Sequence, residues 1–315
     1  MAEDRKSLNL IQRALDRQSG RDNSGPTDHI PAAPLRPAPV MDGLADNLAP
    51  LRPASANDGP AAEPETVQYT RLNMAVLRRS GMINPEVKTS TIANEFRNVK
   101  RKVLLAARDK KNRELVNNLI MVTSTLPEEG KTFTSVNLAL SLAAERDVQV
   151  LLIDCDLHRP SVGKFFENSK QQPGMADLLT NSNAKITDVM RRCESVPNLN
   201  LIFAGKRVDD SPELIASTRM RDLLVEMSER RSDCIVVVDT PPALTTFEPA
   251  ILAPHMHQAI MVVSAQHSGR HQIEKALDSI SACHSISFLF NKAPKWEQKD
   301  GGYYYNYEAK PAAGA

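Results

Sequence analysis

The sequence predicts an α/β fold, a doubly wound and mostly parallel sheet, and three observations carry that reading. Short apolar runs at 119–122, 148–154, 199–203, 234–239, 259–263 and 286–291 read as buried strands, with helix-like stretches between them. Alternation of this kind builds parallel sheets with helices on both faces. The first run, Leu119-Ile120-Met121-Val122, passes through a tight loop, Thr125-Leu126-Pro127-Glu128-Glu129-Gly130-Lys131-Thr132, into the helix-like Val136-Asn137-Leu138-Ala139-Leu140. Two further runs end in acids, at Asp154-Cys155-Asp156 and at Asp239. In open α/β sheets ligands sit at the carboxyl ends of the strands, so these groups are expected at one edge.

The elements follow in order. Residues 1–17 end in Ser7-Leu8-Asn9-Leu10-Ile11-Gln12-Arg13-Ala14-Leu15-Asp16-Arg17, which has a Ser cap and the apolar spacing of an amphipathic helix. One short helix is marginal alone, so it is expected to dock on something. Residues 18–66 are rich in Pro, Ala, Asp and Asn and read as a disordered or polyproline-like linker. The linker presents Ala33-Pro34-Leu35-Arg36-Pro37-Ala38 and again Ala49-Pro50-Leu51-Arg52-Pro53-Ala54, as a partner motif or as slippage in low-complexity sequence. A globular domain is expected over 67–300, opening with a helical stretch near 91–108 and then the loop-bearing strand. Residues 301–315 read as a flexible tail.

The loop carries specific chemistry. Strand, tight loop ending in Gly-Lys-Thr, then helix is the context of a phosphate-binding P-loop, although Thr125 stands where the pattern has its first glycine. The loop and first turn from Pro127 through Glu128, Glu129, Gly130, Lys131, Thr132 and Phe133 would cradle an anion, the backbone N–H groups after Pro127 converging on one point where the helix dipole favours negative charge. Lys131 adds a full charge for β- and γ-phosphates, and the Thr132 hydroxyl can ligate Mg²⁺. Carboxylates beside a phosphate cradle call for a cation between them, and Mg²⁺, a hard ion shared with substrate phosphates, suits them. The expected cofactors are therefore ATP and Mg²⁺, in a P-loop NTPase fold. The expected cation ligands are Thr132 with Asp239 or Asp154, directly or through water.

Composition narrows the class. The formal net charge of +1 over 315 residues gives no field that selects nucleic acid or an anionic membrane. No apolar run reaches 18 residues, and the first residues, Met1-Ala2-Glu3-Asp4-Arg5, lack a signal-peptide pattern, so a cytoplasmic protein is expected. Cys155, Cys193, Cys234 and Cys283 show neither metal nor disulfide spacing and fit a reducing compartment. His255 and His257 alternate along one segment with no partner ligands in view, and read as non-metal residues.

The tail is the other unusual feature. Of the 5 tyrosines in the chain, Tyr303, Tyr304, Tyr305 and Tyr307 stand almost side by side after Gly301-Gly302. They read either as an adhesive aromatic patch or, next to a nucleotide site, as phosphoryl acceptors.

Together these features resemble the bacterial tyrosine autokinases of exopolysaccharide loci. Thr123-Ser124 with the loop through Thr132 resembles that family's Walker A motif. Leu151-Leu152-Ile153-Asp154-Cys155-Asp156-Leu157-His158-Arg159-Pro160-Ser161 resembles its A′ motif, and Val237-Val238-Asp239-Thr240-Pro241-Pro242 its Walker B. Asp210-Ser211-Pro212-Glu213-Leu214-Ile215-Ala216-Ser217, with Arg219-Met220, is similar to a helix-start signature between A′ and B. Glu95, Arg97, Lys100 and Arg101 resemble its self-association motif of one Glu and two Arg spaced three apart; Arg97 matches, the acid is one place late, and Lys100-Arg101 replaces a single Arg.

The resemblance implies a tyrosine kinase domain over 67–300 that phosphorylates its own tail, with Lys131, Asp154 and Asp156 as catalytic residues. Asp156 is expected to accept the phenol proton or to orient the phenol. Related P-loop folds imply that Asn291 reads the adenine edge. Implied partners are further copies of the chain in a ring, a protein tyrosine substrate, and an inner-membrane polysaccharide copolymerase that holds the kinase at the membrane and activates it. The rival classes are a partition or positioning ATPase, whose loop would carry a lysine where this chain has Leu126, and a non-catalytic ATP-binding scaffold of polysaccharide assembly.

Overall fold

The computed structural model describes residues 68–87, 89–107, 118–169, 172–229, 234–265 and 267–293. The helix expected within 1–17, the linker over 18–66 and the tyrosine tail over 301–315 lie outside the described residues.

All six expected strands form, with ends moved by a residue or two. They are β2 (Leu119–Ser124), β3 (Gln149–Asp154), β5 (Leu199–Ile202), β6 (Cys234–Asp239), β7 (Gln258–Ser264) and β8 (Ser285–Asn291). Two three-residue strands join them, β1 (Gln68–Thr70) and β4 (Arg191–Cys193). Neither is long enough to show a period in the sequence. The second also begins with two arginines, and the Arg191 guanidinium is buried by donating to Val189 O and Gln172 Oε1. The described helices are α1 (Met74–Arg79), α2 (Thr91–Ala107), α3 (Lys131–Ala143), α4 (Met175–Thr180), α5 (Ile186–Val189), α6 (Ser211–Ile215), α7 (Thr218–Glu229), α8 (Glu248–Leu252) and α9 (Arg270–Ser279).

The strands form one sheet in the order β1-β4-β5-β3-β6-β2-β7-β8. Six run parallel, while β4 is antiparallel to β5 and β1 follows β4, so the reversal is confined to one margin. β6, late in the chain, is inserted between β2 and β3. This puts the carboxyl ends of the loop-bearing strand and of both acid-bearing strands side by side.

Alternation along the central strands explains why both faces are covered. Leu119 and Met121, Leu151 and Ile153, Val236 and Val238, and Met261 and Val263 face one helical layer, against Leu178 of α4, Leu223 and Leu224 of α7 and Leu252 of α8. Their neighbours Ile120 and Val122, Val150 and Leu152, Ile235 and Val237, and Ile260 and Val262 face the other, with Leu77 of α1, Phe96 and Val103 of α2 and Val136, Leu138 and Leu142 of α3. Helix α3 lies between the sheet and α2, and Phe133 meets Phe96 edge-to-face at 6.4 Å between ring centroids. Strands buried on both faces therefore read as unbroken apolar runs, which is why they were legible.

Leu152→Ala opens a cavity at a fully buried point of the central sheet. The expected loss is about 2–5 kcal/mol of folding free energy. Urea unfolding checks it as a lowered midpoint at unchanged slope.

Candidate functional site

The loop after β2 is shaped by two residues in left-handed conformations, Glu128 at φ 64° and Gly130 at φ 100°. Glycine adopts that geometry freely, and Gly130 is also the N-cap of α3. The positive φ disfavours any side chain at 130, and a Cβ there would lie 2.1 Å from the Asn291 side-chain nitrogen and push that amide aside. Lys131 and Thr132 then occupy the first turn of α3, at the positive end of its dipole.

The acids arrive on the neighbouring strands, with Asp154 directly beside Asp239 in the β3–β6 register. Lys131 Nζ donates to Asp156 Oδ2 at 2.7 Å, a pair whose side chains are only 12% and 5% exposed. Thr132 Oγ1 donates to Asp239 Oδ2 at 2.8 Å and lies 2.7 Å from Ser161 Oγ. Ser135 Oγ donates to Asp239 Oδ1 at 2.7 Å. Asp154 accepts backbone N–H bonds from Asp156 at 3.2 Å, Ser161 at 3.1 Å and Val162 at 3.0 Å. Its carboxylate thus holds the turn that carries Asp156, while Asp239 and Thr132 face each other across the loop.

Charge at the site is unbalanced. Three buried carboxylates surround one ammonium. Burial, and then repulsion from Asp239, push Asp154 up to about 7. Burial likewise raises Asp239 against the opposing pull of Lys131, Ser135 and Thr132. Lys131 is raised on balance: burial opposes its charge, and Asp239 and Asp156 outweigh burial. Cys155 sits between two of the acids, and burial keeps its thiol protonated.

A divalent cation suits this surplus of negative charge. Among the described residues no three His, Cys, Asp or Glu side chains converge as a protein-only metal site. Mg²⁺ takes one or two protein oxygens and completes its shell with water and phosphate oxygens. Thr132 and Asp239, joined by a hydrogen bond at 2.8 Å, are the groups that would hold it.

Of the expected site residues, the fold brings Pro127 to Phe133, Asp154, Asp156, Asp239 and Asn291 to one edge. The side chain of Glu129 points away from the cradle and is buried: it accepts Leu126 N at 2.7 Å, Ser264 N at 3.0 Å and the Ser268 hydroxyl. Asn291 donates to Glu129 O at 2.8 Å. On α2, Glu95, Arg97 and Arg101 are exposed, Arg97 donating to Asn94 within its own helix. Lys100 is turned inward to Glu145 at 2.6 Å, a tie that holds α2 to the end of α3. Tyr303, Tyr304, Tyr305 and Tyr307 lie outside the described residues.

Sequence reasoning passed over Ser135 and Ser161. The first has a visible signal, since it lies one helical turn from Lys131 and so shares its face. The second closes the quoted A′ segment, but nothing local shows that it reaches Thr132.

Sheet order, loop and acid-lined edge define a P-loop nucleotide-binding protein. The sequence pattern of the AAA domain family matches residues 119–287, more than half of the chain, and the chain belongs to that family. Its relatives include bacterial tyrosine kinases. It is 35% identical over 162 residues to the tyrosine-protein kinase ptk of Acinetobacter johnsonii, covering 51% of this chain and 21% of that protein. It is 27% identical over 216 residues to the tyrosine-protein kinase YwqD of Bacillus subtilis (strain 168), covering 67% of this chain and 86% of the relative. The solved kinase domain of VpsO superposes with a TM-score of 0.50 at 28% identity, over 62% of this chain and 98% of that one. The chain spans about a fifth (21%) of the length of the first two curated relatives it matches.

The raised Asp154 sets a pH dependence. An acid whose folded pKa exceeds its unfolded value holds its proton longer in the folded state, so its contribution to stability falls as pH rises from the unfolded pKa, about 3.9, toward the folded value of about 7. Asp154→Asn removes that titration. The stability of the native chain relative to Asp154→Asn should therefore decline between about pH 4 and 7 and level off above. Chemical denaturation of both chains across that range measures it, and parallel pH curves would contradict it.

Proposed function

We propose that the chain is an ATP-dependent protein-tyrosine autokinase. It phosphorylates Tyr303, Tyr304, Tyr305 and Tyr307 of a neighbouring copy within a ring-type homo-oligomer, and so regulates exopolysaccharide polymerisation and export. The observation that carries the reading is the buried ion pair between Lys131 of the phosphate loop and Asp156 of the adjoining turn. The similarity of the chain to tyrosine-protein kinases of Acinetobacter johnsonii and Bacillus subtilis supports it.

The pair gives each residue a part. Without nucleotide, Lys131 neutralises Asp156. Phosphate oxygens entering the cradle compete for the ammonium, and Asp156 is left free as a carboxylate. A phenol with a pKa about 10 is mostly protonated at neutral pH, so it needs such an acceptor. The phenol oxygen attacks the γ-phosphorus in line, the bond to the departing ADP oxygen breaks, and the phenol proton passes to Asp156. Thr132, with Asp239 or Asp154, would hold Mg²⁺, which when bound would neutralise charge on the phosphates. Asp154 keeps Asp156 in place through the backbone of its turn.

Multiple phosphates, each carrying about −1.5 to −2 charge, would repel one another and favour release of the tail. No described helix is long and apolar enough to cross a membrane. The proposed site of action is the cytoplasmic face of the inner membrane, reached through a polysaccharide copolymerase that activates the kinase. Glu95, Arg97 and Arg101 are the proposed contacts between copies.

Two outcomes test the reading. Asp156→Asn should lower the phosphorylation rate by about 10²–10⁴ while nucleotide affinity stays within a few-fold; equal losses in rate and affinity would remove Asp156 from proton transfer. A chain with all four tail tyrosines changed to Phe should bind ATP but carry almost no phosphotyrosine. Mixed with a Lys131→Met chain that keeps its tyrosines, it should label that chain, because active sites and acceptors are then on different molecules. Absence of label, with native protein active under the same conditions, would exclude transfer between copies.

A further inference from the structure

The phosphate loop is gripped from outside by groups that belong to other strands. Asn291, at the end of β8, donates its side-chain N–H to Glu129 O at 2.8 Å, and Lys292 Nζ donates to Glu128 O at 2.6 Å. The Glu129 carboxylate, 1% exposed, takes Leu126 N from the loop itself and Ser264 N and Ser268 Oγ from the end of β7 and the turn after it. The two outer anchors are themselves joined, since Ala265 N donates to Asn291 O at 3.1 Å.

These contacts fix direction. In a trans peptide the carbonyl and the following N–H point to opposite sides of the chain. A carbonyl held outward at Glu128 turns the N–H of Glu129 the other way, and one held outward at Glu129 does the same for Gly130. We infer that Asn291, with Lys292 and the Glu129 carboxylate, is a positioning device that sets the peptide planes of the phosphate loop, so that its N–H groups are aimed at an anion before one arrives. This rests on the nucleotide-site reading and goes beyond it. It gives Asn291 work on the phosphates, where the resemblance implied only contact with the base. The tight approach of the Asn291 amide to Gly130 belongs to the same device, because a side chain at 130 would displace the donor.

The test compares ATP with inorganic tripolyphosphate, which has no base, by titration calorimetry on the full chain and on Asn291→Ala, Asn291→Asp and Ser268→Ala. Loss of the amide donor should weaken both ligands by the same factor, about tenfold for Asn291→Ala. Asn291→Asp should be worse, because a carboxylate then faces the Glu129 carbonyl. Ser268→Ala removes one donor to Glu129 from outside the loop, and should weaken both ligands equally and by less.

Weaker ATP binding with tripolyphosphate unchanged would make Asn291 a reader of the base and overturn the inference. So would unchanged binding of both. Thermal melts without ligand separate misfolding from loss of aim. If Asn291→Ala does not fold, the near-isosteric Asn291→Asp and the peripheral Ser268→Ala decide on the same criterion. A native chain that binds neither ligand would overturn the nucleotide site itself, an outcome distinct from selective failure of these variants.

Discussion

Everything at the carboxyl edge of the sheet answers to one constraint: three carboxylates are buried beside a single ammonium. Asp154, Asp156 and Asp239 could not remain ionised there unless each had a donor. The structure supplies Lys131 to Asp156, backbone N–H groups to Asp154, and the Thr132 and Ser135 hydroxyls to Asp239. At Asp154 burial, and then repulsion from Asp239, outweigh those donors and push its titration up to about 7. On the proposed reading, a polyphosphate and its cation would together bring the anion that Lys131 can pair with and the positive charge that the acids lack.

The phosphate cradle and the acid cluster divide their labour. The cradle is built from backbone and depends on how the peptides are turned, hence on Gly130 and on anchors in β7 and β8. The acid cluster is built from side chains and depends on strand order. The buried aromatic and aliphatic layers on both faces of the sheet are the platform that keeps the two halves in register.

The parts legible in the sequence were those whose signal is local. Strands buried on two faces announce themselves as apolar runs, and the loop announces itself by Gly-Lys-Thr between a strand and a helix. Strand β4 did not, because its leading arginine is buried through a contact with Gln172, nineteen positions away, that no window reveals. The same limit hid Ser161 and the true direction of the Glu129 side chain. That glutamate was assigned to the cradle from its place in the loop, and its backbone is there, but its carboxylate serves Ser264 and Ser268. Lys100 is a parallel case: its place beside Arg97 and Arg101 put it in the self-association motif, whereas its ammonium is turned inward to Glu145, 45 positions away (145 minus 100).

The insertion of β6 between β2 and β3 also governs how the molecule comes into being. During synthesis the chain lays down β2 and β3 early, yet their common neighbour begins only at Cys234, 80 positions after Asp154 (234 minus 154). At about 5–20 residues per second this leaves the Val-Leu-Leu-Ile edge of β3 waiting roughly 4–16 s for its pairing strand. A parallel sheet cannot close that gap with a local hairpin. The topology that assembles the acids therefore leaves the facing edges of two apolar strands unpaired until β6 has been made.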